Sequence, residues 1–291
     1  MKRPFPLGII SDEVSQDLQE VIQFARKFDL DALELRSVND KVIHQLTHEE
    51  IDRIDQQVKA AGLRICALST PLFKCELSEK EVGEHLEMLH RIAEIAQHLQ
   101  ARIIRGFSFW SRKEVDWSRA FDRIIRHFER VVPVLEKYGL IMALEFDPAV
   151  YAHNARKVRK IIDSIDSPHI QGLYDPGNDI WDPEGEIPFP DGYEHLANKI
   201  CHIHLKDAVK SPEGVQAVAI GKGEVDYRGL FKRLQADRYK GYLVVETHYR
   251  LKSKLTEEQL KRPSGNSFSE GGYEASTECV QSLDQLLAEV V

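Results

Sequence analysis

The sequence predicts an α/β protein built as a single (β/α)8 TIM barrel, and three observations predict it. Eight short apolar runs alternate with amphipathic stretches at roughly thirty-residue intervals, the rhythm of a closed parallel barrel. The first run opens LGIISDEVSQD, which lacks the glycine-rich fingerprint of the competing doubly wound sheet. No Pro/Gly/Ser-rich linker divides the 291 residues, a length suited to one α/β barrel of roughly 250 residues. Residues 1–291 therefore read as one domain.

The elements follow in order. The runs Leu7–Ser11, Ala32–Leu35, Leu63–Ser69, Arg102–Gly106, Leu140–Phe146, Ile170–Asp175, Ile200–Leu205 and Gly241–Glu246 are short and mostly rich in Val, Ile or Leu, as strands buried on both faces should be. A first helix is expected over Leu18–Phe28. Thr47 with Glu50 forms a capping box before a helix that stops at Gly62, and Ser78 with Glu81 repeats the device before VGEHLEMLHRIAEIAQHL. From Trp117 to Tyr138 one stripe carries Phe121, Ile124, Ile125, Phe128, Val131 and Val132; Gly139 ends it and Pro133 should bend it. Asn154–Ile165, Tyr193–Ile200, Tyr227–Gln235 and Tyr273–Val291 supply the later helices. Extended loops remain at 176–192 and 247–272, both after strand C-termini, where barrel enzymes keep their chemistry.

Composition narrows the function. Lys and Arg number 39 against 47 Asp and Glu, a net charge of −8 that argues against a nucleic-acid surface. Cys66, Cys75, Cys201 and Cys279 are scattered without a CxxC pair, as reduced buried thiols are. The N-terminus meets Asp12 and Glu13 too soon for a signal peptide, and no run approaches the ~18 apolar residues of a membrane span. A cytoplasmic protein with no membrane partner is expected.

The informative residues lie at strand ends. Strand five ends in Glu145, strand six in Asp175 and strand eight in Glu246, while strand seven reads ICHIHLKD. Side chains alternate along a strand, so His202, His204 and Lys206 share the lumen face while Cys201, Ile203 and Leu205 face the helices. Converging buried carboxylates need a compensating cation. Three carboxylates with one imidazole make an oxygen-rich set for one divalent metal ion, whether Mn²⁺, Mg²⁺, Co²⁺ or Zn²⁺. A guanidinium in the middle of that set would exclude the ion.

These residues, as LEFDP, YDPGN, HIHLKD and VVE, with GKGEVDYRGLFKRL at Gly221–Leu234, resemble the xylose-isomerase-like barrel superfamily, and within it the sugar phosphate isomerase/epimerase proteins. The resemblance spans the chain and is strongest from Leu140 to Glu246. It implies that Glu145, Asp175, His204 and Glu246 bind the metal, and that Glu145 and Glu246 are catalytic, each moving a proton on one face of a sugar carbon. Ketose epimerases of that group carry a histidine where Asn178 stands, and an amide hydrogen-bonds a sugar oxygen without acting as acid or base. A basic substrate-contacting residue follows their strand-seven histidine, a place that Lys206 or Lys210 takes here. The resemblance also implies a dimer or tetramer.

The expected activity is metal-dependent isomerisation or epimerisation of a sugar or keto-sugar. The ion stabilises the enediolate left when a carboxylate removes the neighbouring proton. The same enediolate can expel a β-substituent, so a lyase or dehydratase is the alternative; a phosphodiesterase of the apurinic-endonuclease type ranks below both, because it needs more histidines. Arg105, Lys206 and His202 are candidate substrate contacts with Asn178 and Lys210, although Glu34, Arg36, Arg105 and Lys206 also fit a lumen ion-pair network. The cluster Arg250, Lys252, Lys254, Lys261 and Arg262 reads as a solvated loop, and His44, His48, His85, His90, His98 and His127 as surface residues.

Overall fold

The computed structural model describes residues 3–290, so Val291, the expected end of the last helix, lies outside the described residues. Eight strands close in sequence order: β1 (Leu7–Ile10), β2 (Ala32–Leu35), β3 (Arg64–Leu72), β4 (Ile103–Gly106), β5 (Ile141–Glu145), β6 (Ile170–Tyr174), β7 (Ile200–Leu205) and β8 (Leu243–Val245). The seam pairs β1 with β8 in parallel, Leu7 opposite Leu243 and Ile9 opposite Val245. Closure leaves the barrel without an edge strand, so the backbone ladder runs all the way round.

The outer helices are α1 (Leu18–Lys27), α2 (His48–Ala60), α3 (Glu79–His98), α4 (Trp117–Tyr138), α5 (Ala155–Ile165), α6 (Tyr193–Leu196), α7 (Tyr227–Ala236) and α8 (Gly272–Glu289). Thr47 and Glu50 complete the expected capping box of α2. The expected box of α3 is only half made. Ser78 accepts from the Glu81 backbone N–H, but the Glu81 carboxylate turns to the Glu76 N–H instead. Helix α4 runs through Pro133 and stops at Gly139, whose φ of 64° is left-handed. Helix α6 is a single turn, shorter than the span expected to Ile200.

Two loops carry structure that periodicity did not foresee. After β7 the chain forms a hairpin, Asp207–Ser211 against Gly214–Val218. The Asp207 carboxylate anchors it by accepting from the backbone N–H groups of Ala208, Gly221, Gly223 and Val225. A Cβ on Gly223 would overlap that carboxylate, which explains a glycine there. The 247–272 loop contains short helices Glu257–Lys261 and Asn266–Ser269.

The barrel interior is layered. Ile10, Ala32, Cys66 and Val244, with Tyr242 against them, plug the lower lumen. Outward-facing residues such as Leu33, Leu144, Ile203 and Val245 join the main core beneath the helices. Full burial of each such side chain contributes about 1.5–3 kcal/mol. Above the plug the lumen turns polar, and the strand ends deliver charge to a buried interior.

Candidate active site at the barrel mouth

Each acidic residue of the cluster is set by its strand end. Glu145 closes β5, and Glu246 follows β8 with its backbone N–H on Leu205 O at 3.0 Å. Asp175 caps the short helix Pro176–Asp179. Its Oδ1 accepts from the Gly177 N–H at 3.0 Å, leaving Oδ2 turned to the lumen. Gly177 is needed here, because a Cβ would overlap the Lys206 carbonyl of β7's continuation. The alternation expected in β7 holds: His202, His204 and Lys206 all point inward, and each is buried.

Glu145, Asp175, His204 and Glu246 bring one ligand atom each to within 4.8 Å of one another. His204 Nδ1 lies 3.5 Å from Glu145 and 3.8 Å from Glu246. Among the described residues His204 Nδ1 has no hydrogen-bond partner. The Lys206 ammonium lies 2.6 Å from Asp175 and 2.7 Å from Glu246. Two guanidinium groups also reach the acids: Arg105 lies 3.1 Å from Glu145 and 3.6 Å from Glu246, and Arg36 lies 2.9 Å from Glu246.

Charge accounting shows what this arrangement still lacks. Six buried carboxylates, Asp12, Glu13, Glu34, Glu145, Asp175 and Glu246, meet four permanent cations, Arg36, Arg105, Lys206 and Arg250. The shortfall is two positive charges, and unpaired buried charge costs several kcal/mol. Protonation makes up part of it. Burial, reinforced by Glu246 and Glu145 against the pull of Lys206, pushes the Asp175 carboxyl up to about 7. Burial pulls the His204 imidazole down, but the Glu34, Glu145 and Glu246 charges outweigh it and raise it to about 10. The donor set, the unpartnered His204 Nδ1 and the missing charge all fit a divalent cation held by oxygen and one nitrogen.

Beneath this cluster lies a second. Glu34 on β2 receives His202 Nε2 at 2.6 Å and His204 Nε2 at 3.0 Å. With Nε2 turned to Glu34, the Nδ1 atom of His204 is the one presented to the acids. Burial opposes ionisation of Glu34, yet the two imidazoles hold it well below the usual carboxylate range.

The family profile of the xylose isomerase-like TIM barrel matches residues 22–266. The chain belongs to that family. An inosose dehydratase of Geobacillus thermodenitrificans is 23% identical over 218 residues, 65% of this chain and 71% of its own length. The solved structure of IOLI protein with a bound zinc atom superposes with a TM-score of 0.77 at 16% identity, covering 99% of each chain. D-psicose 3-epimerase from Clostridium cellulolyticum H10, solved with D-tagatose, gives 0.75 at 14% identity, covering 98% of this chain and 99% of its own. At such identities the two structures show a shared fold alone.

Within this family barrel the expected substrate contacts separate. Asn178 faces the cluster, donating to Glu145 Oε1 at 3.3 Å and Phe146 O at 2.9 Å. Arg105 and Lys206 line the same chamber. His202 is fully buried on Glu34, below the reach of a ligand. Lys210 is exposed on the hairpin after β7, away from the chamber, because the chain turns outward at Asp207. Of the histidines expected at the surface, His44 and His85 line the chamber and His127 is buried. Arg250 is also buried, donating to the Tyr249 and Glu270 carbonyls, whereas Lys261 and Arg262 overhang the mouth.

Sequence reading left Asp12, Glu13, Lys74 and Asp147 out of the site. Asp12 and Glu13 sit just past β1 in a strand–helix junction that reads as an ordinary acidic helix start. Their common partner Arg36 was visible as a candidate, and the two-residue alternation of Glu34 and Arg36 at the end of β2 was the available signal.

Proposed function

We propose that the chain is a divalent-metal-dependent enzyme that moves a proton at the carbon beside the carbonyl of a sugar or keto-sugar, giving isomerisation or epimerisation. The observation that carries this reading is the convergence of Glu145, Asp175, His204 and Glu246 within 4.8 Å, with His204 Nδ1 unpartnered among them. These four are the proposed ligands. When bound, the ion supplies Lewis acidity toward a chelated carbonyl, which lowers the cost of removing the neighbouring proton.

The remaining work falls to the chain. Glu145 and Glu246 approach the chamber from β5 and β8 and can accept or return a proton from different sides. They are not equivalent. Glu246 is held well below the usual range, burial being outweighed by His248, Lys206, His204 and Arg36, while Glu145 is lowered too, burial being outweighed chiefly by Arg105. Glu145 has Arg105 as its main cation and Asn178 steadying Oε1, and we assign it the proton-accepting role. Lys206 and Arg105 orient sugar oxygens, and Phe107, over which the Arg105 guanidinium lies at 4.9 Å, supplies an apolar wall.

A second reading, dehydration, is favoured by the similarity to inosose dehydratase. It starts with the same proton removal and diverges when a β-hydroxyl leaves. Both are tested by incubating metal-loaded protein with a panel of ketoses and inososes in deuterated water. Deuterium at the carbon beside the carbonyl without loss of water supports isomerisation or epimerisation, and exchange with loss of water supports the dehydratase. No exchange into any member of the panel overturns both.

A further inference from the structure

We propose that the chain has a second cation site, of the calcium class and structural in role, formed by Asp179, Glu186 and the Ile187 carbonyl. None of these groups is among the four ligands proposed at the barrel mouth. Asp179 ends the short helix Pro176–Asp179 and is fully buried. Among the described residues neither of its carboxylate oxygens has a hydrogen-bond partner. Its charged neighbours are acids, Glu186, Asp182 and Asp175, and with burial they hold its carboxyl well above the usual carboxylate range. A proton neutralises that charge but brings no partner to the second oxygen, whereas one cation satisfies both.

Gly192 marks where the cation fits. Its φ of −59° and ψ of −40° are ordinary helical values that alanine adopts more readily, so the backbone does not require a glycine. Space does. A Cβ there would lie 2.6 Å from Asp179 Oδ2, and 3.4 Å from both Glu186 Oε1 and the Ile187 carbonyl oxygen. Three oxygens, two of them from carboxylates, thus face one point. The neighbouring groups are already placed. Glu186 Oε1 is steadied by the Ala155 N–H at 2.7 Å, and His195 lies 3.6 Å from its other oxygen. Asp182 accepts from the Glu186 N–H at 2.8 Å and lies 2.5 Å from His153.

The donor set selects the ion. Carboxylate and carbonyl oxygens in irregular array suit Ca²⁺, which completes its six to eight ligands with water, better than Mg²⁺ with its tight octahedron. With no nitrogen or sulfur among the three groups, the softer transition metals have little hold here. The ion would join two loops. Asp179 belongs to the stretch that opens with Asp175 after β6, and Glu186 meets the first residue of α5, which follows β5. Its effect is therefore on the stability of the loops that carry the barrel-mouth acids, without contact with the reacting atoms.

The test is equilibrium dialysis of the full chain against radioactive Ca²⁺, with thermal unfolding in parallel. At about a hundredfold excess over its Kd, Ca²⁺ should raise the wild-type melting temperature by about 5 °C. Asp179→Asn and Gly192→Ala should each bind one Ca²⁺ fewer per chain, the second because its methyl fills the cradle at unchanged backbone angles. Glu145→Gln, which alters the barrel mouth, should keep the ion that those two lose. Without Ca²⁺, Asp179→Asn should melt at or above wild type, because an amide is cheaper to bury than an unpartnered carboxyl; with Ca²⁺ it should melt below. The proposal is overturned if wild type binds no Ca²⁺ up to about 10 mM, beyond the range of weak extracellular sites. It is also overturned if the count is unchanged in both Asp179→Asn and Gly192→Ala, if Glu145→Gln abolishes all Ca²⁺ binding, or if the order of melting is the same with and without the ion.

Discussion

Two buried charge clusters share the mouth of this barrel, and only one of them is closed. Around Arg36 every carboxylate oxygen is taken. Asp12 accepts from Arg36 Nε at 2.9 Å and from Ser37 Oγ at 2.6 Å; Glu13 accepts from Arg36 Nη2 at 2.7 Å and the His248 N–H at 3.1 Å. A few ångströms away, His204 Nδ1 is left without a hydrogen bond. The difference separates a strut from a receptor. A satisfied buried network rigidifies its surroundings, whereas unpaired polar atoms at the same depth are expensive unless a ligand repays them. Glu246 belongs to both, through Arg36 on one oxygen and Lys206 on the other.

Substitutions should therefore divide by cluster. Glu145→Gln, in the open cluster alone, is expected to lower turnover by about 10²–10⁴-fold, the span of a lost acid–base group. Its thermal unfolding should stay close to wild type, and steady-state kinetics with a melting curve checks both. Arg36→Ala, in the closed cluster, leaves Asp12 without its cation and Glu13 with only Arg250 at 3.6 Å. It should destabilise the fold by about 3–5 kcal/mol, read from urea unfolding. Arg36→Lys should rescue little, because one ammonium cannot reproduce three separately directed N–H contacts. If Arg36→Ala spares stability, the distinction between strut and receptor fails. The smallest effect is expected from Glu34→Gln, which acts through His204. Removing its charge from behind the imidazole should weaken divalent-ion binding by about 10–100-fold, measured by competition with a chelating dye. An unchanged affinity would show that Glu34 does not position His204.

Legibility in the sequence follows the same boundary. The eight strands and the inward turn of His202, His204 and Lys206 were readable because a two-residue period is written into neighbouring residues. The four acids and imidazoles at consecutive strand ends were readable for the same reason. Lys210 misled because its spacing after His204 says nothing of the hairpin that carries it outward at Asp207. His85 misled as well. Its helix pattern placed it outside, yet its Nδ1 accepts from the Phe73 N–H at 2.8 Å, beneath the loop that borders the chamber. Arg250 sat in a basic run that resembles a solvated loop, but three backbone carbonyls draw it inward.

By itself the sequence determined the order of strands and helices, their principal caps and the residues that stand at each strand's C-terminal end, because these depend on contacts within a few positions of the chain. Only the tertiary structure decided that Arg36 meets Glu246, 210 residues away, that Lys206 lies between Asp175 and Glu246, and that Trp110 and Trp181 wall a common chamber. Those pairings follow from the register in which the barrel closes and from the path of its loops, and charges buried at that closure must find partners wherever the fold places them.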